Sequence, residues 1–154
     1  MGVLLSREAL YAVVNELKNG GLRVVFTNGC FDLLHAGHIR YLKDAKAFGD
    51  ILVVGLNSDL SVSRLKPHRP IIPQGQRAEI LTAISYVDYV TIFDEDTPYE
   101  LIRSLRPDVL VKGGDWAINE IVGSDLVSET RSIRYHEGLS TTKIIEKIKR
   151  LYCP

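Results

Sequence analysis

The 154-residue chain has little of what staples a small secreted fold or cages a metal. Its two cysteines, Cys30 and Cys153, have no Cys or His neighbour at metal-site spacing, and a disulfide framework is not supported. No apolar stretch approaches the roughly 20 residues that cross a bilayer, and Met1 to Leu5 lacks the basic flank of a signal peptide. Charge of one sign is missing too. Nineteen Lys and Arg balance nineteen Asp and Glu, which argues against a surface that wraps nucleic acid. The basic cluster Lys143 to Arg150 is interleaved with Ile144, Ile145, Ile148 and Leu151 and reads as the solvated face of a helix. Internal repeats and low-complexity segments are absent. These gaps leave a cytoplasmic protein with no membrane and no nucleic-acid partner, whose 45% apolar residues suffice for one core.

What is present is an alternation of apolar runs and amphipathic stretches. Ser6 to Lys18 carries apolar residues at 10, 13, 14 and 17, the spacing of an amphipathic helix with Ser6 as N-cap, and Asn19-Gly20-Gly21 ends it. Arg23 to Thr27 reads as a first strand, with a helix from about Ala36. Ile51 to Leu56 is a second continuous apolar strand, as expected where both sheet faces are covered. A short helix at Asp59 to Leu65, a proline-rich loop at Lys66 to Pro73 and a helix at Gln76 to Tyr86 follow. Tyr89 to Phe93, Val109 to Val111 and Ile133 to His136 read as the remaining strands, with helices at Pro98 to Leu105 and Thr141 to Leu151.

This order predicts one domain over 1–154, with its core at about 22–150 and an N-terminal helix at about 6–19. The fold class is α/β: a Rossmann-like open parallel sheet of about five strands with flanking helices and right-handed crossovers. Ligands sit outside the carboxyl ends of such strands. The turn after the first strand, Asn57-Ser58-Asp59 and Gly113-Gly114-Asp115 are therefore expected to share one rim.

That first turn carries the chemistry. Thr27-Asn28-Gly29-Cys30-Phe31-Asp32 leads into His35-Ala36-Gly37-His38, so a strand runs through a glycine-containing turn into a helix with two histidines at its start. Free N–H groups and the positive helix end attract phosphate there, and two imidazoles add donors on one side. Gly37 lets a ligand approach the backbone. Phosphoryl-type transfer needs reactants held in line and spreading charge neutralised, which such donors supply. Ser140-Thr141-Thr142 caps the last helix and offers hydroxyl and N–H donors to further phosphates. Lys66 and Arg69 sit in the stiff loop as a lid over an anion, and Arg77 opens the next helix. Asp32, Asp59 and Asp115 can hold Mg²⁺ or a sugar hydroxyl. Trp116 reads as packing or as a stacking surface. Cys30 reads as a small side chain behind the turn, and no activated nucleophile is evident.

The His-x-Gly-His unit with its Gly-x-Phe-Asp lead-in resembles the nucleotidyltransferase superfamily. Asn57-Ser58-Asp59, Arg64-Leu65-Lys66, Arg69-Pro70, Glu95-Asp96-Thr97-Pro98, Leu110-Val111-Lys112-Gly113-Gly114-Asp115, Ile121-Val122-Gly123-Ser124 and the Ser-Thr-Thr segment look like the bacterial heptose 1-phosphate adenylyltransferase family, in its order, from Arg23 to Lys149. The resemblance implies ATP and a sugar 1-phosphate as partners, Mg²⁺ as cofactor held mainly by the triphosphate, and ADP-heptose for surface glycans such as lipopolysaccharide core. It also implies a homodimer and a separate sugar kinase. By the same resemblance His35, His38 and Lys66 are expected to be catalytic. Asn28, Gly29, Cys30, Phe31, Gly37, Arg77, Gly113, Asp115, Ser140, Thr141 and Thr142 are expected at the nucleotide, and Asp32, Asn57, Asp59 and Arg69 at the acceptor. Glycerol-3-phosphate cytidylyltransferases are the nearest rival. Gly113-Gly114-Asp115-Trp116 and Glu137-Gly138-Leu139-Ser140-Thr141-Thr142 lean towards them, but Tyr135-His136 replaces that family's Arg-Thr. Archaeal-type flavin adenylyltransferases share the first motif and fit the middle less well. A nucleotide-binding subunit without turnover is a further reading.

Overall fold

The computed structural model describes residues 1–134 and 138–153. Six parallel strands form one sheet: β1 (Val3–Leu4), β2 (Val24–Gly29), β3 (Ile51–Asn57), β4 (Tyr89–Phe93), β5 (Val109–Gly113) and β6 (Glu129–Ile133). Their spatial order is β1-β4-β3-β2-β5-β6. Among the described residues six helices accompany them: α1 (Arg7–Asn19), α2 (Ala36–Lys46), α3 (Asp59–Leu65), α4 (Gln74–Ala83), α5 (Tyr99–Leu105) and α6 (Thr141–Tyr152), with single 3-10 turns at Ile118–Glu120 and Ser124–Leu126.

Burial on both faces explains why the inner strands are continuous apolar runs. Val25, Leu52 and Val54 pack with Leu42 and Ala45 of α2 and Ala78 and Leu81 of α4. On the opposite face Val24, Phe26, Val53 and Leu110 meet Leu10 and Val14 of α1 and Leu101, Ile102 and Leu105 of α5. Neighbours such as Val24 and Val25 thus feed different layers, the period of two that a strand imposes. Ser6 caps α1 as expected, its side chain accepting from Ala9 N at 3.2 Å.

The sheet has one strand more than expected. β1 is two residues long, exposed, and pairs only with β4; so short an edge strand leaves no periodicity to read. The last strand also lies earlier than expected, at Glu129–Ile133 rather than from Ile133 to His136. It has no fully buried residue, so nothing in its polar sequence announces it. Tyr135, His136 and Glu137 lie outside the described residues.

From the central β2 the chain builds outward through β3 to β4, then returns to the other side of β2 to lay down β5 and β6. The direction of building reverses between β2 and β5. Their carboxyl ends, at Gly29 and Gly113, therefore flank the crevice where open α/β sheets take ligands.

Candidate active site

A cavity of about 660 Å³ opens at this switch point. Its size suits a nucleotide rather than a metal ion or a polymer. The turn from Asn28 to Asp32, His35, Gly37 and His38 form one wall; Ser140, Thr141 and Thr142 form another. Asn57, Lys66, Arg69 and Gly113 complete the set of expected residues that the fold brings together.

The two histidines are held by the backbone. His35 is the N-cap of α2, and its Nδ1 accepts from Gly37 N at 3.1 Å. His38 Nδ1 accepts from His35 N at 3.2 Å. A ring nitrogen that accepts carries no proton, so each neutral imidazole keeps its hydrogen on Nε2. The ring centroids stand 4.0 Å apart. Burial depresses the His35 pKa, and burial, then His35 and Lys66, push that of His38 down to about 4. Both rings are neutral donors at pH 7. The helix end therefore acts partly through the imidazoles, which take up its amide and offer an N–H in turn. Gly37 lines the cavity and meets a second constraint: a Cβ there would stand 2.9 Å from the His35 ring and 3.1 Å from Leu139. Its bare backbone makes room for the histidine itself.

Asp32 was expected at the acceptor, and its carboxylate is committed to the lid loop instead. It accepts from Ile71 N and Ile72 N, both at 2.9 Å, and from Arg69 Nη1 at 3.2 Å. Burial alone would raise this carboxyl, but those three donors outweigh it and hold the group below the usual carboxylate range. The loop carrying Lys66 and Arg69 is thereby tied to the signature turn. Thr141 Oγ1 donates to Asp32 O at 2.9 Å and brings α6 to the same place.

Three expected positions do not line the cavity. Arg77 is 1% exposed and lies beneath it. Its guanidinium donates to Ile72 O (2.8 Å), Cys30 O (2.6 Å), Asn57 O (2.9 Å) and Asp59 Oδ1 (2.7 Å). Four bonds nearly exhaust its donors, so it fastens the signature turn to β3 and the lid rather than meeting a nucleotide. Asp59 is drawn to the same guanidinium, while Ser58 caps α3 by accepting from Ser61 N at 3.1 Å. Asp115 is exposed and faces Arg134 at 3.6 Å. Gly114 adopts φ +119°, and Trp116 folds back to donate from Nε1 to Gly113 O at 3.0 Å. That turn places Trp116, not Asp115, on the cavity wall.

The cavity also includes residues not singled out as site residues, among them Lys112, Asp96, Thr97, Glu120 and Arg134. Lys112 belongs to the Leu110 to Asp115 motif, and its place at the end of β5 was the available signal. Asp96 is paired to Arg64 at 2.7 Å. Ser140 is both cap and wall, its Oγ accepting from Lys143 N at 3.2 Å. Cys30 is half-buried on the wall rather than hidden behind it. No described helix is long and apolar enough to cross a membrane.

Comparison with known proteins agrees with the fold. The cytidylyltransferase-like family pattern matches residues 26–147. The bifunctional protein HldE of Wolinella succinogenes is 55% identical over 147 residues, 95% of this chain and 31% of that protein. HldE of Campylobacter curvus is 59% identical over 133 residues, 86% of this chain and 28% of that one. The chain thus spans about a third of the length of the curated relatives it matches. A lipopolysaccharide core biosynthesis protein from Thermoplasma volcanium has a similar structure, with TM-score 0.66 and 28% identity, covering 76% of this chain and all of that one. A pantoate–β-alanine ligase from Francisella tularensis, solved with an ATP analogue and β-alanine, shares the fold at TM-score 0.63 and 15% identity, covering all of this chain and 80% of that one. The chain belongs to the cytidylyltransferase-like family and is a nucleotidyltransferase.

Proposed function

We propose that this nucleotidyltransferase transfers AMP from ATP to a heptose 1-phosphate, giving ADP-heptose and pyrophosphate. The observation that carries the chemistry is the pair of Nε2–H donors, each fixed by a backbone N–H on its other nitrogen. The acceptor phosphate attacks the α-phosphorus in line, and pyrophosphate leaves from the opposite side. His35 and His38 donate to the oxygens on which charge builds, already oriented and neutral. Lys66 adds a cation from the lid. The N-terminus of α6 presents Ser140, Thr141 and Thr142 to the phosphates of the leaving group. Mg²⁺ is assigned to the triphosphate. Among the described residues no three His, Cys, Asp or Glu side chains gather into a metal cage, and Mg²⁺ commonly binds through substrate phosphates with few protein ligands.

The acceptor rests on kinship. The HldE relatives and the motif order from Arg23 to Lys149 support the adenylyl and heptose reading over the cytidylyl one. The test is a panel of sugar phosphates and glycerol 3-phosphate against ATP and CTP, read as pyrophosphate. ATP with heptose 1-phosphate should be the best pair by a wide margin, since a site built for one ring edge leaves polar groups unpaired with another. Comparable turnover of CTP with glycerol 3-phosphate would move the chain to the cytidylyl branch, and no turnover with any pair would favour a binding subunit.

A further inference from the structure

Lys112 lies one residue before the end of β5 and lines the cavity at the switch point. The guanidinium groups beside the signature turn and lid meet protein oxygens. Arg77 binds three carbonyls and Asp59, Arg69 binds Asp32, and Arg64 binds Asp96. Among the described residues the Lys112 side chain has neither an ion pair nor a hydrogen bond, its backbone being spent on the ladder to β6. Lys66 shares that lack but is exposed to water, whereas Lys112 is half-buried.

Removing an ammonium from water without a counter-charge is costly. Burial is the main cause drawing Lys112 below the usual lysine range; Cys30 opposes it and Lys66 adds to it. The position becomes favourable when a ligand supplies the anion. Lys66 acts electrostatically on both His38 and Lys112, so the imidazole donor and the two ammonium groups belong to one neighbourhood. We propose that Lys112 is a further catalytic residue of this cavity, its ammonium contacting a phosphate oxygen at the reacting centre. This rests on the nucleotidyl-transfer reading. Two phosphates meet there, that of the nucleotide and that of the acceptor.

The experiment compares the wild-type protein with Lys112→Met, Lys112→Gln and Lys112→Arg. Met keeps the length of the stem and removes the charge, and Gln keeps a donor should Met disturb folding; thermal unfolding of both should match wild type. Calorimetric titration uses three probes: ATP, inorganic tripolyphosphate and heptose 1-phosphate. The uncharged variants should lose at least about tenfold in affinity for the phosphate that Lys112 touches and on the order of 10² in kcat. Arg should recover part of both, its planar fork differing from an ammonium. Loss confined to ATP and tripolyphosphate assigns the contact to the nucleotide; loss confined to the sugar phosphate assigns it to the acceptor. Unchanged affinities with unchanged kcat overturn the proposal. A wild type that binds tripolyphosphate yet releases no pyrophosphate with any acceptor would refute the transfer reading, while the titrations still decide Lys112. A wild type that binds none of the three probes overturns both.

Discussion

Two helices present their N-termini to the cavity, and they are held in opposite ways. Helix α2 buries Tyr41, Leu42 and Ala45, and the Tyr41 hydroxyl donates to Val111 O at 3.3 Å. Helix α6 buries no residue; Ile148, Leu151 and Tyr152 are 46%, 58% and 77% exposed. Its described tie to the signature turn is the Thr141 hydroxyl on Asp32 O. Buried apolar contact sets how firmly an element resists local opening. The histidine wall is thus anchored in the core, whereas the Ser-Thr-Thr wall belongs to a helix with little buried contact to resist local opening. Donors that act on transition-state charge gain most from being fixed in advance.

The comparison breaks most severely if the fastening beneath the signature turn, which leads into α2, is removed. Arg77→Met should leave the carbonyls of Cys30, Asn57 and Ile72 without their donor. A loss of about 3 kcal/mol is expected from stranding buried acceptors, read by urea unfolding. Unfolding at the wild-type midpoint would show that the turn is held by other means.

Removing the donors themselves comes next. His35→Ala and His38→Ala should each lose on the order of 10² to 10³ in kcat. His35→Ala should also unfold more easily, by about 1 kcal/mol, because an N-cap is lost. His35→Asn separates the two effects: Asn restores a cap but carries no Nε2–H. Its melting temperature should return towards wild type while kcat stays low. Recovery of both would make His35 a structural cap only.

The loosely held wall should respond differently. Thr141→Val removes one hydrogen bond, worth about 1 kcal/mol. We expect KM for ATP to rise several-fold with kcat little changed, and amide exchange in the first turn of α6 to quicken while α2 stays protected. Equal quickening in both helices would abolish the contrast.

The pH dependence of stability probes the histidine wall in a separate way. The folded state holds the His38 pKa at about 4 against an ordinary 6.5, so the unfolded chain binds the proton first. Stability therefore falls as pH drops from about 6.5 to about 4 and is insensitive to this group above that window. His38→Gln should flatten part of that slope in melting curves recorded across the window. An identical slope in the variant would remove His38 from the account.

The sequence by itself determined a good deal. The apolar runs of β2 to β5 announced strands because both sheet faces are covered, and Ser6 and Ser140 announced their helices through cap chemistry. The signature turn and its two histidines were legible because strand, glycine and helix start are local signals carried within one stretch of chain. Tertiary structure decided the rest. It placed the exposed pair Val3-Leu4 and the polar strand Glu129–Ile133 at opposite edges of the sheet, where few contacts act on sequence. It turned Arg77 inward, because four oxygens from separate segments converge there and no local pattern records that. It exchanged Asp115 for Trp116 on the wall through one left-handed glycine, and it left the Lys112 side chain without a partner among the described residues at the crevice. Local periodicity specifies elements; where a charge finds its partner is settled only when distant segments meet, since that energy depends on burial and distance, neither of which is written along the chain.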